Sequence, residues 1–341
     1  MKMKRWFIIL VVLFMLSMGL MGKKLATITD IFRPFIMAMD DQQFYVTDGT
    51  TVSIFSRKDF TLKKKFGKEG EGPREFKLAQ GMPGLILTVQ NDSLVINSAG
   101  KVSFYTKDGK FIKELKVSTG SMVSIFRPFE EKFVGLSTSM GEEMSMKFTI
   151  NIYDSQLTKL KEVYQLPMMK RGRMEFPNIS PIFYPVNNKI IIGGQKEFVL
   201  DILNAKGDKV SSITRDYKLV KVGEDYKKGI YRYFKTNPAT KQTYEFIKKM
   251  ITFAEYFPAL QGIYVDNRKI YIQTYMKKEE NYEFFIYDIN GKFLQRLFLP
   301  VTYMNALMPN PITIKDNTLY QLLENEEEEN WELHEYPIPI K

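Results

Sequence analysis

The sequence predicts an all-β fold, a six-bladed β-propeller of four-stranded antiparallel blades, and three repeated features indicate it. A pair of Asp, Asn or Glu residues precedes a run of strand-forming residues six times, beginning at positions 40, 91, 130, 187, 266 and 316. Ile or Phe, then an aromatic residue or Leu, then a small polar residue ends an apolar run five times, as in Ile54-Phe55-Ser56. A second short turn, such as Lys107-Asp108-Gly109, follows four of these triplets. Each unit therefore comprises strand, turn, strand, loop, strand, turn and strand, which is the composition of a propeller blade.

The paired acidic and amide residues are interpreted as hairpin turns rather than as ligands. Asn and Asp have short side chains that hydrogen-bond the nearby backbone, and they tolerate left-handed conformations. Successive pairs lie 39 to 57 residues apart, except for the 79 residues between positions 187 and 266. We therefore expect an insertion over about 217–257 that lays one amphipathic helix on the blades. Its centre, Thr240–Glu255, has four apolar residues at near-helical spacing: Tyr244, Ile247, Ile251 and Ala254.

The sixth unit supplies only three strands before the chain ends at Lys341. Leu25–Thr29, which precedes the first unit, can provide the missing outer strand. Pairing this segment with the last blade closes the ring and removes an exposed strand edge. The sequence therefore predicts a single propeller domain over 23–341.

The first 22 residues are predicted to be a signal peptide that directs export to the periplasm or the extracellular space. Met1–Arg5 is basic and Trp6–Leu16 is an unbroken apolar run, as in the n- and h-regions of such peptides. The alternative is an uncleaved membrane anchor, because the roughly 17 residues from Trp6 to Gly22 are just long enough to span a bilayer. The chain has no cysteine, which excludes disulfides and a Cys-acylated lipid anchor.

The net charge of +10 is dispersed along the sequence. Basic runs such as Lys63–Lys65 and Lys248–Lys249 occur among acidic runs such as Glu326–Glu329. This pattern favours an ordinary charged surface over a polyanion site, and an exported protein is not expected to bind nucleic acid. The expected partner is a protein, peptide or glycan of the cell envelope, with membrane contact only through an uncleaved N-terminal anchor.

Familiar catalytic constellations are scarce in this sequence. His334 is the only histidine, and it lies in the alternating strand Trp331–Tyr336. We interpret it as a structural residue. Without a second histidine or any cysteine, the usual zinc sites and Cys/His pairs cannot be assembled.

The longer connections are all predicted on one face of the disc, because the short turns of every blade emerge on the other. Long loops on a rigid scaffold are where binding usually occurs. Two of them, Gly72–Phe76 and Gly172–Phe176, share the pattern Gly-x-x-Glu-Phe. In the structural interpretation, Gly permits the turn, Glu binds backbone donors and Phe fills a gap between blades. In the functional interpretation, Arg74, Arg171 and Arg173 project over the channel and hold a carboxylate, phosphate or sugar acid.

The segment Phe66–Phe76 (FGKEGEGPREF) resembles the loop signature of NHL-repeat proteins, and particularly of the exported six-bladed β-propellers common in bacteria. Phe253–Pro258, at the end of the expected insertion, is also similar to that group. The resemblance extends from about Leu25 onward and implies the fold. It implies no single activity, because propellers of this kind include binding proteins, scaffolds, lyases and lactonases.

The sequence thus predicts a non-catalytic binding or scaffold propeller whose ligand face is formed by the long inter-blade loops. The alternative is a lyase or a calcium-dependent hydrolase similar to propeller lactonases, since calcium prefers oxygen ligands. Six segments predicted to line the channel contain no Asp or Glu: Arg33–Ala38, Gly84–Gln90, Val123–Phe129, Ser180–Val186, Ala259–Val265 and Asn310–Lys315. We therefore expect no catalytic residue, metal or cofactor. The ligand-binding candidates are Arg33, Arg74, Arg171, Arg173, Tyr184 and Tyr256.

Overall fold

The computed structural model describes residues 22–79, 81–90, 92–117, 124–142, 145–169, 172–177, 181–194 and 196–340. Within them, six four-stranded antiparallel sheets follow one another along the chain, which confirms the predicted propeller. From the innermost strand outward, the first blade contains β2 (Pro34–Met39), β3 (Gln43–Asp48), β4 (Thr51–Ser56) and β5 (Leu62–Phe66), and the second contains β6 (Ile86–Val89), β7 (Ser93–Ser98), β8 (Lys101–Thr106) and β9 (Phe111–Lys116). The third blade contains β10 (Ser124–Phe129), β11 (Lys132–Met140), β12 (Met146–Tyr153) and β13 (Lys159–Met169), and the fourth contains β15 (Ile182–Val186), β16 (Lys189–Gly193), β17 (Val199–Asn204) and β18 (Lys209–Thr214). The fifth blade contains β20 (Gly262–Asp266), β21 (Lys269–Lys278), β22 (Asn281–Asp288) and β23 (Phe293–Pro300), and the sixth contains β24 (Ile312–Lys315), β25 (Thr318–Asn325), β26 (Asn330–Pro337) and β1 (Lys23–Ile28).

The N-terminal strand β1 closes the ring as the outermost strand of the sixth blade. It pairs antiparallel with β26, from Lys23 opposite Glu335 to Ile28 opposite Trp331. The closure predicted for Leu25–Thr29 is therefore confirmed, and it covers the free edge of β26.

The core lies in the gaps between neighbouring blades, where a cluster of buried apolar side chains fills each of the six junctions. The repeated triplets explain how one strand serves two gaps. Successive side chains of a strand point to opposite faces, so Ile54 packs between the first and second blades while Phe55 packs between the sixth and first. In the same way, Ile286 packs between the fifth and sixth blades while Tyr287 packs between the fourth and fifth.

The polar residue that ends a triplet forms the turn that follows it. Asp154 Oδ1 accepts the backbone N–H groups of Gln156 at 2.9 Å and Thr158 at 2.8 Å. The same arrangement is found at Asn204 and Asp288. Left-handed backbone angles occur in the paired turns at Glu130, Asn187, Asn267, Asp316 and Asn317. These pairs are therefore turns as predicted; Asn91, of the second pair, lies outside the described residues.

The insertion between the fourth and fifth blades is present, with two helices where the spacing indicated one. The longer helix, α1 (Glu224–Thr236), precedes the predicted position. A 3-10 turn (Lys241–Thr243) and α2 (Tyr244–Met250) follow. Ile251, expected on the helix, instead begins the short strand β19 (Ile251–Phe253).

The insertion is fastened to the connection between the third and fourth blades. β19 pairs in parallel with β14 (Met174–Phe176). Phe176 packs against Ile230 and Phe234 of α1, with the Phe176 and Phe234 ring centroids 5.8 Å apart. Apolar residues recur at every fourth position of α1, from Tyr226 to Phe234, so the sequence does contain the signal for this helix.

Among the described residues, no helix has both the length and the apolar character needed to cross a membrane. The predicted leader, 1–22, lies outside these residues except for Gly22.

Candidate functional site

The two faces of the disc differ in the connections that they carry. Neighbouring strands of a blade run in opposite directions, so the first-to-second and third-to-fourth turns emerge on one face. We call this the short-turn face. The inter-blade connections emerge on the opposite face, the long-loop face, and include 67–85, 170–181, 215–261 and 301–311.

The innermost strands enclose a central cavity of about 420 Å³, with a mostly apolar wall. Tyr184 lines this cavity, as its place in a channel segment predicts. Arg127 of β10 lines it as well, with its guanidinium carbon 4.2 Å from the ring centroid of Tyr184 and 5.2 Å from that of Phe183. Arg127 Nε is buried and has no hydrogen-bond partner in the described chain. The channel arginine is therefore Arg127, which is held on aromatic faces by cation–π attraction.

Acidic groups near the short-turn end of the cavity are already paired. Asp266, one residue beyond the predicted channel segment, ends β20 and lines the cavity. Lys315 Nζ lies 3.8 Å from the Asp266 carboxylate, 2.8 Å from that of Asp41 and 3.4 Å from that of Asp316. Burial raises the pKa of Asp266. This end of the channel is a small ion-pair network.

Arg74 lies at the outer side of the disc. Its guanidinium carbon is 5.0 Å from the ring centroid of Phe111, and its backbone N–H donates to Glu114 at 3.4 Å. Both partners belong to β9, the outermost strand of the second blade. The predicted projection of Arg74 over the channel is therefore wrong, although its side chain is exposed.

Of the other arginine candidates, Arg33 and Arg173 are surface residues. Arg33 precedes β2, and its backbone N–H donates to Asp48 Oδ1 at 3.1 Å. Arg173 precedes β14 and is exposed. Arg171 lies outside the described residues.

Tyr256 follows β19 at the end of the insertion and is 43% exposed. Its hydroxyl hydrogen-bonds Glu255, which raises the pKa of the tyrosine. Tyr184 lines the central cavity instead, so the structure does not gather the described candidates into one site.

A second cavity, of about 450 Å³, lies on the long-loop face between the insertion, the fifth blade and the 301–311 connection. We call it the tyrosine pocket and define it by Tyr226, Phe257, Gln261, Tyr275, Tyr282 and Tyr303. A smaller cavity of about 140 Å³ shares four of these residues. Tyr264 and Pro309 line both that smaller cavity and the central one. Shared walls thus link the three cavities from the insertion to the channel.

Contacts between aromatic rings stabilise the wall of the tyrosine pocket. Phe257 stacks on Tyr275, with centroids 4.2 Å apart and 20° between the ring planes. Tyr226 contacts Phe257 edge-on at 4.9 Å. One turn after Tyr226, Ile230 is fully buried beneath α1, and residues four apart share a helix face. The anchoring of α1 therefore places Tyr226 against the pocket.

A neutral hydrogen-bond network forms the inner side of the pocket. Gln273 is buried, and its Nε2 donates to Gln261 Oε1 and to Tyr303 Oη, both at 3.1 Å. Tyr264 Oη donates to Gln273 Oε1 at 3.3 Å. Gln273 therefore fixes the orientation of three polar groups around the cavity.

Electrostatically, the pocket wall is neutral. Burial raises the pKa values of Tyr226, Tyr275 and Tyr303, so their hydroxyls stay protonated well above neutral pH. Lys277 and Asp225 also line the cavity and contribute opposite charges. Lys277 Nζ lies 4.4 Å from the ring centroid of Tyr282, where cation–π attraction holds it.

Neither the tyrosine pocket nor Arg127 is predicted from the sequence. The position of Arg127 in the channel segment Val123–Phe129 is a usable signal. Tyr226, Tyr275 and Tyr303 come from three separate segments, and no linear spacing connects them.

His334 belongs to the closure of the ring. Its Nε2 lies 2.8 Å from Glu332 Oε2, and Lys24 Nζ of β1 lies 2.6 Å from Glu332 Oε1. Lys24 and His334 hold the pKa of Glu332 at about 2. These contacts agree with the structural role predicted for the histidine. In the part of the chain that the structure describes, no three His, Cys, Asp or Glu side chains are grouped so as to hold a metal ion.

No family model matches the sequence, and no curated protein matches it. The fold is similar to that of many solved structures, including two from Bacteroides species. The first is the "putative exported protein" of Bacteroides fragilis NCTC 9343, with a TM-score of 0.54 and 12% identity over 94% of this chain and 95% of that one. The second is a member of the DUF4221 family from Bacteroides vulgatus ATCC 8482, with a TM-score of 0.51 and 12% identity over 93% and 95%. At this identity the likeness concerns the fold alone.

Proposed function

We propose that this protein is a non-catalytic binding propeller of the cell envelope, and that it holds its ligand in the tyrosine pocket. One observation carries the proposal. The hydroxyls of Tyr226 and Tyr275 line the same cavity, and neither makes a hydrogen bond within the described chain. Both hydroxyls can be reached from the cavity, so a bound ligand would supply hydrogen-bond partners to them in place of water. The pocket also has the size and the aromatic lining typical of small-molecule sites.

Export is supported by the basic and then apolar leader at 1–22. The resemblance of Phe66–Phe76 to the loops of exported NHL-repeat-like propellers supports it as well. We place the protein in the periplasm or outside the cell, where its partner is a protein, peptide or glycan. A leader that stays uncleaved would anchor it to the membrane.

The predicted site residues extend this ligand face. Arg33, Arg74 and Arg173 are exposed residues of the connections between blades, where they would attract acidic parts of a partner; Arg171 belongs to the same proposal from sequence alone. Tyr256 is exposed beside the insertion, and Tyr184 contributes an aromatic face to the central cavity. We assign them secondary roles because the tyrosine pocket provides the enclosed site.

The test is capture from an envelope extract by the immobilised protein, with bound protein and bound carbohydrate both measured. We expect Tyr226→Ala combined with Tyr275→Ala to abolish capture. The matched control is Phe246→Ala, which truncates an aromatic residue of the same insertion that is 68% exposed and outside the pocket. Equal capture by both variants, with equal melting temperatures, would overturn the proposal.

A further inference from the structure

The groups that the tyrosine pocket leaves available can both donate and accept hydrogen bonds. Within the described chain, the hydroxyls of Tyr226 and Tyr275 are unpartnered. Tyr303 Oη accepts from Gln273 and keeps its own proton to donate, and Gln261 keeps its amide hydrogens. A ligand with hydroxyl groups matches this set best, because a hydroxyl group also both donates and accepts hydrogen bonds.

Charge disfavours ionic ligands. Lys277 and Asp225 of the lining carry opposite charges, so neither sign predominates, and the Lys277 ammonium group lies over the Tyr282 ring. A cationic ligand would compete with that ammonium group for the same aromatic face. The hydroxyls themselves stay neutral because burial raises the pKa of Tyr226 and Tyr275. The wall therefore suits an uncharged ligand.

The aromatic lining of the pocket favours a ring with an apolar face. Phe257 and Tyr275 stack nearly parallel, and Tyr226 and Tyr303 stand beside them. Aromatic faces pack against C–H groups and exclude water. A pyranose ring presents C–H groups on its faces and hydroxyls around its edge. It can therefore pack against the aromatic rings of the wall and hydrogen-bond its polar groups. The volume of about 450 Å³ lies within the range of small-molecule sites.

We propose that the tyrosine pocket binds a neutral sugar ring, as a free saccharide or as a unit of an envelope glycan. The inference rests on the proposed binding function and specifies the ligand of that same pocket.

Saturation-transfer difference NMR of the purified protein tests it. The probes are the methyl glycosides of glucose, galactose, mannose, xylose and N-acetylglucosamine, with their neutral oligosaccharides. Glucuronic acid and a proline-rich peptide serve as charged and peptide comparisons. We expect saturation of ring C–H protons for at least one neutral sugar, and Tyr275→Ala should weaken its binding by about thirtyfold or more. Tighter binding of longer oligosaccharides would identify a glycan chain rather than a free sugar as the ligand.

The variant Tyr226→Phe combined with Tyr275→Phe separates hydrogen bonding from packing. It keeps both rings and removes only the hydroxyls, so each change should weaken binding by about two- to tenfold. Phe246→Ala should bind like the wild type. An equal affinity of the double Phe variant and the wild type would overturn the assigned role of the hydroxyls.

The outcomes distinguish this inference from the proposed function. Binding of the peptide or of glucuronic acid in the pocket, with no neutral sugar bound, would overturn the inference and leave a binding propeller. Sugar binding that survives Tyr275→Ala in a folded protein would overturn the pocket as the sugar site. Pocket-independent capture from the envelope extract would overturn the proposed function itself.

Discussion

The two Gly-x-x-Glu-Phe loops have the same spacing and lie on the same face, yet they bury their phenylalanines against different partners. In the first loop, Phe76 is fully buried among residues of the first and second blades, and Glu75 accepts the backbone N–H of Gly72 at 3.0 Å. In the second loop, Phe176 packs beneath the insertion, and Glu175 is exposed. The structural interpretation of the motif therefore holds fully only for the first loop.

This difference shows what makes one loop structural and connects the other to the candidate site. The first loop seals a junction between blades, and its buried ring belongs to the core of the propeller. The second loop holds α1, and α1 presents Tyr226 to the tyrosine pocket. The partner of the phenylalanine decides the role of the loop.

The largest effect is expected from Phe76→Ala. Truncating a fully buried ring between two blades should lower the free energy of unfolding by about 3–5 kcal/mol. Urea denaturation measures this loss, with Phe246→Ala as an exposed control that should change stability by no more than about 0.5 kcal/mol. A loss below about 1 kcal/mol for Phe76→Ala would show that the first loop does not seal the junction.

A smaller and more local effect is expected from Phe176→Ala. Its ring packs in a satellite cluster with Ile230 and Ile251, so its loss should loosen the insertion before the blades unfold. Hydrogen exchange should become faster in α1 and β19 and stay slow in β3, β7 and β16. Ligand binding should weaken as well, because α1 positions Tyr226. Equal global destabilisation by Phe176→Ala and Phe76→Ala would contradict the comparison.

The fold could be predicted because its signals are local and repeated. Each triplet places one apolar residue in each of two neighbouring gaps, as Ile54 and Phe55 do. A repeat of this kind is visible without knowing how the blades meet. The free outer edge of the last blade likewise required a partner, and β1 supplies it.

The candidate site could not be predicted in the same way. Tyr226, Tyr275 and Tyr303 meet only because α1 docks on the fifth blade, and this docking depends on tertiary contacts. The wrong placement of Arg74 has a similar cause. Arg74 has a left-handed backbone (φ 64°) and its side chain lies on Phe111 of β9, a geometry that residue order alone does not reveal.

The third expected effect, after those of Phe76→Ala and Phe176→Ala, is on partner capture rather than on stability. Arg74→Glu combined with Arg173→Glu reverses two exposed charges of the inter-blade connections. Stability should change by no more than about 1 kcal/mol, since the Arg74 guanidinium is exposed and lies over Phe111 on the outermost strand of the second blade. We expect the partner to associate more slowly, with the difference from the wild type largest at low salt. Surface plasmon resonance at two ionic strengths measures it, and a large loss of melting temperature would show that both loops are structural.

The smallest expected effect is a difference in melting temperature between variants of the two loop glutamates, Glu75 and Glu175. The backbone N–H of Gly72, and then Lys68, lower the pKa of Glu75 from 4.5. A carboxylate with a lowered folded pKa stabilises the protein above its unfolded pKa and loses that effect as the pH falls through the folded value. Glu75→Gln should therefore lower the melting temperature slightly at neutral pH, and the difference from the wild type should disappear as the pH falls below 4.5. Glu175→Gln is the matched control: because Glu175 is exposed, it should melt like the wild type at neutral pH. A wild-type melting temperature for Glu75→Gln at neutral pH would show that the negative charge of Glu75 contributes nothing to the first loop.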